Sequence, residues 1–280
     1  MNSRRLEHRY EERVWGRDAL PDWADTQPAD GAPIGEIWFV DDRDAPAELL
    51  VKYLFTSERL SIQVHPDDAA ARAIGFPRGK DEAWLVLDAE PDAVIGLGLK
   101  EQISREALRA AALDGSIERL IDWRPVRAGD FFYSPAGTVH AIGPGLSLVE
   151  IQQNLDLTYR LYDYGRPRDL HLEAGIAAAD PVPWQRSFLP RETGPGREIL
   201  HAGGSFVVER WTFSGEAEVE SADGQLVLVP LGAAGELDGR ALEPGSVWRI
   251  DGVAKLASEA PLDLLAAYPG GEVRETLLQR

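Results

Sequence analysis

Cysteine is absent from this sequence. Its absence excludes disulfides and thiolate ligands, so a bound metal must draw on histidine nitrogens and on oxygen. It also fits a cytoplasmic location. Histidine is scarce, at five in 280 residues. Positive charge is in short supply too: 29 Lys and Arg stand against 47 Asp and Glu, a net charge of −18. So acidic a chain lacks the basic surface that nucleic acid demands. It remains compatible with a small anionic substrate, because a few local cations suffice for one phosphate. No stretch of 18 apolar residues occurs, so no membrane-spanning helix and no membrane partner are expected. Met1 to Glu7 places no apolar run after its basic pair, and no signal peptide is read there.

What is present is an ordinary globular composition, 44% hydrophobic with a mean hydropathy of −0.25. A chain this long can bury a sizeable core in one large all-β domain or two smaller ones. Residues 1–33 are polar, with Trp15 and Trp23 as packing anchors. Strands are read at Gly35–Val40, Glu48–Leu54, Arg59–His65, Glu82–Leu87, Asp130–Ser134, His140–Ile142, Leu146–Gln152 and Tyr159–Tyr162. A short Ala-rich helix follows Asp67, with Asp67 and Asp68 as caps. A longer one is read over 104–122, with Ser104 as cap and Leu108, Ala111, Ala112 and Leu120 as its apolar face. Prolines at 181, 183, 190 and 195 mark 181–196 as a linker. After it come short runs at Phe206–Phe213, Leu226–Leu231, Val247–Ile250 and Leu262–Tyr268, which suit a second, smaller β-domain over 197–280. Ala128-Gly129-Asp130-Phe131-Phe132-Tyr133 has an echo in Pro244-Gly245-Ser246-Val247-Trp248-Arg249, as if the two β-domains were related. His201 is the only histidine after the linker, so the second domain is expected to hold no metal.

The chemistry concentrates in residues 1–180. Gln63 and His65 sit two apart in the run Leu60-Ser61-Ile62-Gln63-Val64-His65-Pro66-Asp67-Asp68, which puts both side chains on one face of a strand. Glu82 follows 17 positions after His65, within Lys80-Asp81-Glu82-Ala83-Trp84. His140 ends the run Gly129 to His140, where Gly129 permits a tight turn and Pro135 with Gly137 makes a second. Gln, His, Glu and His supply two nitrogens and two oxygens, a first shell suited to one zinc or similar divalent ion. A lone strand histidine is more often structural than ligating. Four such residues in three strand-like segments favour a site. Gln63 is its weakest member, since a neutral amide oxygen binds weakly. His8 and His201 lack that context and read as surface or packing residues. His171 is either structural or second in line behind a functional residue.

The spacing Gly129-(five residues)-Pro135-Ala136-Gly137-Thr138-Val139-His140 resembles the second motif of the cupin barrels, and Gln63-Val64-His65 partly resembles the first. More closely, four blocks resemble type I mannose-6-phosphate isomerase, in its short bacterial form. These are Leu60 to Asp68, Gly79 to Trp84, Gly129 to His140, and Glu150-Ile151-Gln152-Gln153-Asn154-Leu155-Asp156-Leu157-Thr158-Tyr159-Arg160-Leu161-Tyr162-Asp163. The likeness covers about residues 10–180. It implies a mainly β fold of two cupin-type barrels, the second without metal, with a small helical insertion near 104–122. It implies a zinc site of Gln63, His65, Glu82 and His140, and a catalytic Arg160 with Lys80, Glu150 and Asp156 lining the site. Lys52 and Ser61, with Arg166 behind them, fall where such enzymes are expected to bind substrate phosphate. The sequence departs from the pattern at Asp81, where small polar residues are commoner and where a carboxylate would add negative charge beside the metal. Phe55-Thr56-Ser57 is a second departure, and the chain has no room for a large helical domain.

The implied reaction interconverts mannose 6-phosphate and fructose 6-phosphate by moving a proton between C1 and C2 through an enediol. It needs an ion to polarise the carbonyl, a fixed cation such as Arg160, and a proton carrier of tuned pKa. Glu150, Asp156, Lys80 and a metal-held water all qualify at this stage. The competing readings are another metal-dependent cupin enzyme, dioxygenase-like, and a non-catalytic sugar-phosphate-binding β-barrel. Gln63 in place of His disfavours an iron site, and Lys52, Lys80 and Arg160 suit a phosphosugar. Nothing calls for more than a monomer or weak homo-oligomer.

Overall fold

The computed structural model describes residues 2–24, 31–41, 47–232 and 235–279. Up to the proline-rich segment the strands are β1 (Ser3–Arg5), β2 (Glu7–Arg17), β3 (Ile34–Val40), β4 (Leu49–Thr56), β5 (Ile62–Val64), β6 (Glu82–Ala89), β7 (Val94–Leu99), β8 (Ile121–Pro125), β9 (Phe131–Ser134), β10 (His140–Ile142), β11 (Leu146–Gln153) and β12 (Tyr159–Tyr162). The helices are α1 (Asp68–Ala73), α2 (Arg105–Asp114), α3 (Ile117–Leu120) and α4 (Leu172–Ala178). The expected linker 181–196 itself contains a strand, β13 (Arg191–Gly194), and after it come β14 (Arg197–His201), β15 (Phe206–Pro230), β16 (Gly235–Leu237), β17 (Arg240–Leu242), β18 (Trp248–Pro269) and β19 (Leu278–Gln279).

These strands build three layers. A six-stranded sheet runs β2-β3-β4-β11-β6-β9, and a five-stranded sheet runs β12-β5-β10-β7-β8. An eight-stranded sheet is centred on β15 and β18. The six-stranded sheet lies in the middle, which is why β4 and β11 are buried along their whole length. Alternation assigns their faces. Leu54 and Leu148 pack with Ile95, Leu97 and Ile142 of the five-stranded sheet. Val51, Tyr53, Phe55, Val149 and Ile151 pack with Phe206, Val208, Val227 and Leu265 of the eight-stranded sheet. The mainly β architecture is the expected one, with a difference in closure. As paired, the sheets are open, and side-chain packing rather than a hydrogen-bonded seam joins the two that surround the site.

Local chemistry explains the elements. Asp67 caps α1, accepting from Ala70 N at 2.7 Å, and Ser104 caps α2, accepting from Ala107 N at 3.1 Å. The expected single helix over 104–122 is two, because Gly115 takes a left-handed φ of +79° and closes α2. Strand β7 is not among the strands read from the sequence, and it carries two glycines, Gly96 and Gly98. Both are there for room: a Cβ on Gly96 would lie 2.5 Å from Ile121 Cγ2, and one on Gly98 2.3 Å from Trp184 N. In the second half, runs read as separate short strands join into the continuous β15 and β18. The acidic stretch between them alternates Ala217 and Val219 toward a core with Ala254 and Leu256. Strand β1 pairs with β18, Ser3 opposite Ile250, so the chain's first strand belongs to the eight-stranded sheet. No helix among the described residues is long and apolar enough to cross a membrane.

Candidate metal centre

The centre lies between the six- and five-stranded sheets. Cross-strand register assembles it: His140 of β10 is opposite Gln63 of β5, and Arg160 of β12 flanks Gln63 on the other side. Glu82 enters from the start of β6, and Glu150 of β11 stands opposite Lys52 of β4. The two turns read from the Gly-Pro-Gly spacing are present, with Gly129 at φ +90° and Gly137 at φ +87°. The second delivers His140.

His65, Glu82 and His140 are buried and offer ligand atoms that all lie within 4.8 Å of one another. His65 Nε2 is 3.2 Å from Glu82 Oε1, and His140 Nε2 is 3.5 Å from Glu82 Oε2. Each ring's other nitrogen meets a backbone carbonyl: His65 Nδ1 is 2.9 Å from Leu157 O, and His140 Nδ1 is 2.9 Å from Thr138 O. A carbonyl only accepts, so each Nδ1 carries the proton and each Nε2 presents a lone pair. Two lone pairs thus confront a carboxylate, and His65 Nε2 has no hydrogen-bond partner. Burial, aided by the Lys80 charge, pushes the His65 pKa down to about 4, so the ring stays neutral with its Nε2 lone pair available. Acceptors facing acceptors in a buried site fit a divalent cation between them. Gln63 adjoins the same point, its amide 3.3 Å from His140 Nε2 and accepting from Ser61 Oγ at 3.0 Å. A half-turn of the amide exchanges its oxygen and nitrogen, so Gln63 can offer oxygen.

A cavity of about 350 Å³ opens on this centre. Lys52, Ser61, Gln63, Lys80, Glu82, His140, Glu150, Asp156 and Arg160 all line it; His65 does not, and reaches the lining through Glu82, 3.2 Å away. Arg166 is not brought to the cavity. It pairs with Asp163 at 2.8 Å and donates to Arg59 O at 2.7 Å. Arg168 takes the wall instead, held in two bonds of 2.6 and 2.7 Å to Asp163. Arg13, Glu36 and Trp38 also line the cavity, and none of them stood out in the sequence. Their signal was faint: Glu36 and Trp38 share one strand face, and Trp38 Nε1 donates to Glu36 at 2.9 Å.

The charged groups interlock. Lys80 Nζ is 2.9 Å from Glu82, and Lys52 Nζ is 3.2 Å from Glu150 and 4.3 Å above the Trp38 ring. Burial works to lower the Lys80 pKa, but the Glu82 and Glu150 charges outweigh it and hold the amine protonated. Burial raises the Glu150 carboxyl, reinforced by the Glu82 charge and only partly offset by Lys52 and Lys80. Arg160 has a buried Nε without a partner and donates from Nη1 to Asp169 O at 2.7 Å. His171 Nδ1 accepts from the Arg160 backbone N at 3.2 Å, so this histidine braces Arg160. His201 is a packing residue, stacked on Tyr133 at 3.5 Å. His8 packs edge-on to Tyr10 at 5.4 Å. Asp81 contradicts the expectation of extra negative charge beside the metal. Strand alternation turns it to the opposite face from Lys80 and Glu82, where it accepts from Tyr133, Ala136 and Ser205.

Comparison with known proteins follows the same line. No model of a protein family matches the chain. The mannose-6-phosphate isomerase of Streptococcus mutans is 35% identical over 225 residues, covering 74% of this chain and 70% of that protein. The mannose-6-phosphate isomerase ManA of Bacillus subtilis is 33% identical over 255 residues, covering 75% and 79%. Among solved structures, a mannose 6-phosphate isomerase from Bacillus subtilis superposes with a TM-score of 0.83 at 26% identity, covering 96% of this chain and all of that one (100%). A phosphomannose isomerase from Salmonella typhimurium superposes at 0.74 with 14% identity over 96% of this chain, a likeness of fold. With identities above 30% extending over most of both sequences, this chain belongs to the mannose-6-phosphate isomerase family.

Proposed function

We propose that this protein is a metal-dependent aldose–ketose isomerase that interconverts mannose 6-phosphate and fructose 6-phosphate. The observation that carries the reading is the buried His65–Glu82–His140 group opening on a cavity lined by Lys80, Glu150, Asp156 and Arg160, in a chain of this family. The cavity also suits an anionic sugar. Its lining has five cations (Arg13, Lys52, Lys80, Arg160 and Arg168) against four carboxylates, in a chain of net charge −18. Charge in such a cleft draws a phosphate dianion inward.

The ligands His65, Glu82 and His140, with Gln63 as a weaker fourth, are of the types zinc favours. When bound there, the ion supplies Lewis acidity for the sugar oxygens at C1 and C2. The remaining work belongs to the side chains. Arg160, always charged, stabilises negative charge on the enediolate oxygen. Lys80, kept protonated by Glu82 and Glu150, adds a second cation from the facing wall. Glu150 carries the proton between C1 and C2, because burial lifts its carboxyl toward the pH at which it can both give and take. Asp156, which also lines the cavity, orients the sugar hydroxyls. Lys52 and Ser61 hold the phosphate, with Arg168 in the place where the sequence suggested Arg166. In this reading residues 1–180 form the metal-binding domain and 197–280 the second β-domain; β1 and β13 (Arg191–Gly194) pair into the sheet of the latter, so of the expected linker only 181–190 connect.

The test is a coupled assay on zinc-loaded protein given mannose 6-phosphate, following fructose 6-phosphate, with a chelated control. Turnover that chelation abolishes is expected. Absence of turnover with zinc verifiably bound would refute the substrate assignment.

A further inference from the structure

Among the described residues, none from the second β-domain lines the cavity. That domain nevertheless reaches the centre's scaffold through one carboxylate. Asp81 sits between Lys80 and Glu82 with its side chain on the opposite strand face. Its Oδ2 accepts from Ser205 Oγ of the second domain at 2.7 Å and from Tyr133 Oη at 2.6 Å. Its Oδ1 accepts from Ala136 N at 2.8 Å. Ala136 lies in the turn that delivers His140, and the next residue's Gly137 N donates to His65 O at 3.0 Å. The Asp81 backbone is pinned as well: its N donates to Gln153 Oε1 at 3.0 Å, and its O accepts from Gln153 N at 3.0 Å.

We infer that Asp81 is a positioning residue through which the second β-domain sets the spacing of Glu82 and His140. The inference rests on the metal reading above. Its physical basis is that one carboxylate ties together the strand carrying Glu82, the turn carrying His140 and the Ser205 loop. Metal ligand distances tolerate only about 0.2 Å of error, so a brace joining two ligand-bearing segments acts on affinity and geometry. Without an acceptor here, Tyr133 Oη, Ala136 N and Ser205 Oγ lose their partner together, and the turn is free to shift.

The experiment titrates cobalt(II) into metal-free native protein, Ser205→Ala and Asp81→Asn, reading the visible absorption bands and the affinity, with urea unfolding in parallel. Ser205→Ala removes only the bond between domains. Asp81→Asn keeps the shape but faces an amide nitrogen toward donors. The expected result is a cobalt affinity about tenfold weaker in Asp81→Asn, a smaller loss in Ser205→Ala, and shifted bands in both. Variants that unfold more easily yet keep native bands and affinity would overturn the inference, leaving Asp81 as interdomain adhesion only. If Asp81→Asn does not fold, Ser205→Ala decides alone by the same criterion. Native protein that binds no cobalt would instead overturn the metal reading, and this inference with it.

Discussion

Chelation of the metal should destabilise the protein by an amount the site geometry accounts for. In the metal-free centre His65 Nε2 confronts Glu82 Oε1 at 3.2 Å, and His140 Nε2 confronts Oε2 at 3.5 Å. Both nitrogens are acceptors, because both Nδ1 protons are committed to Leu157 O and Thr138 O. A divalent ion converts these repulsions into coordination in the folded state alone, so it stabilises by RT ln(1 + [M]/Kd). Zinc at a thousandfold excess over its Kd contributes about 4 kcal/mol. For a chain of this size each kcal/mol moves Tm by roughly 2–4 °C, so the shift should be roughly 8–16 °C. Thermal unfolding by circular dichroism, with zinc and with chelator, measures it. Magnesium serves as a control for non-specific binding to the acidic surface, and it should reproduce little of the effect. Glu82→Gln removes the central carboxylate, and its zinc-dependent shift should collapse to within about 2 °C. Equal Tm values with zinc and chelator would refute the reasoning, as would a Glu82→Gln variant that keeps the full increment.

Three further outcomes are expected. In the metal-free protein, stability should fall as pH drops from about 6.5 towards 4. Burial holds the folded His65 pKa at about 4, below its unfolded value, so the unfolded chain binds the extra proton in that window. The loss is on the order of 3 kcal/mol, and urea midpoints that stay flat between those pH values would contradict it. Arg168→Ala should raise KM for mannose 6-phosphate about tenfold, whereas Arg166→Ala should leave it within about twofold, because only Arg168 lines the cavity; steady-state kinetics with the pattern reversed would show the phosphate wall misassigned. Gly98→Ala places a methyl group 2.3 Å from Trp184 N at a backbone φ of +72°. It should cost about 2 kcal/mol or more in urea unfolding, and a neutral result would mean the proline-rich segment is not docked on β7.

Much of the centre could be read along the chain because its cues are local. Gln63 and His65 share a strand face by a period of two, and Gly129, Pro135 and Gly137 state two turns before His140. Asp67 and Ser104 announce the helices they cap. The failures were of two kinds. Some elements depend on a neighbour far away: β7, absent from the strands read along the chain, carries Gly96 and Gly98 because Ile121 and Trp184 fill the space above them. Other positions were read from resemblance: Arg166 was expected at the phosphate, yet Arg168, two residues on, is the one that lines the cavity. Asp81 combined both errors, being adjacent to Glu82 in sequence and opposite to it in orientation.

Composition, period and turn chemistry were enough for a mainly β chain and a cysteine-free set of candidate donors, of which the fold brings His65, Glu82 and His140 together. These depend on a residue and its near neighbours, where backbone geometry leaves few choices. The pairing of His140 with Gln63, the choice of Arg168, the entry of Arg13, Glu36 and Trp38, and the reach of Ser205 to Asp81 required the folded molecule. Each depends on which strands lie side by side and in what register. Register is selected by burial summed over three packed layers, a property that no short stretch of the chain contains.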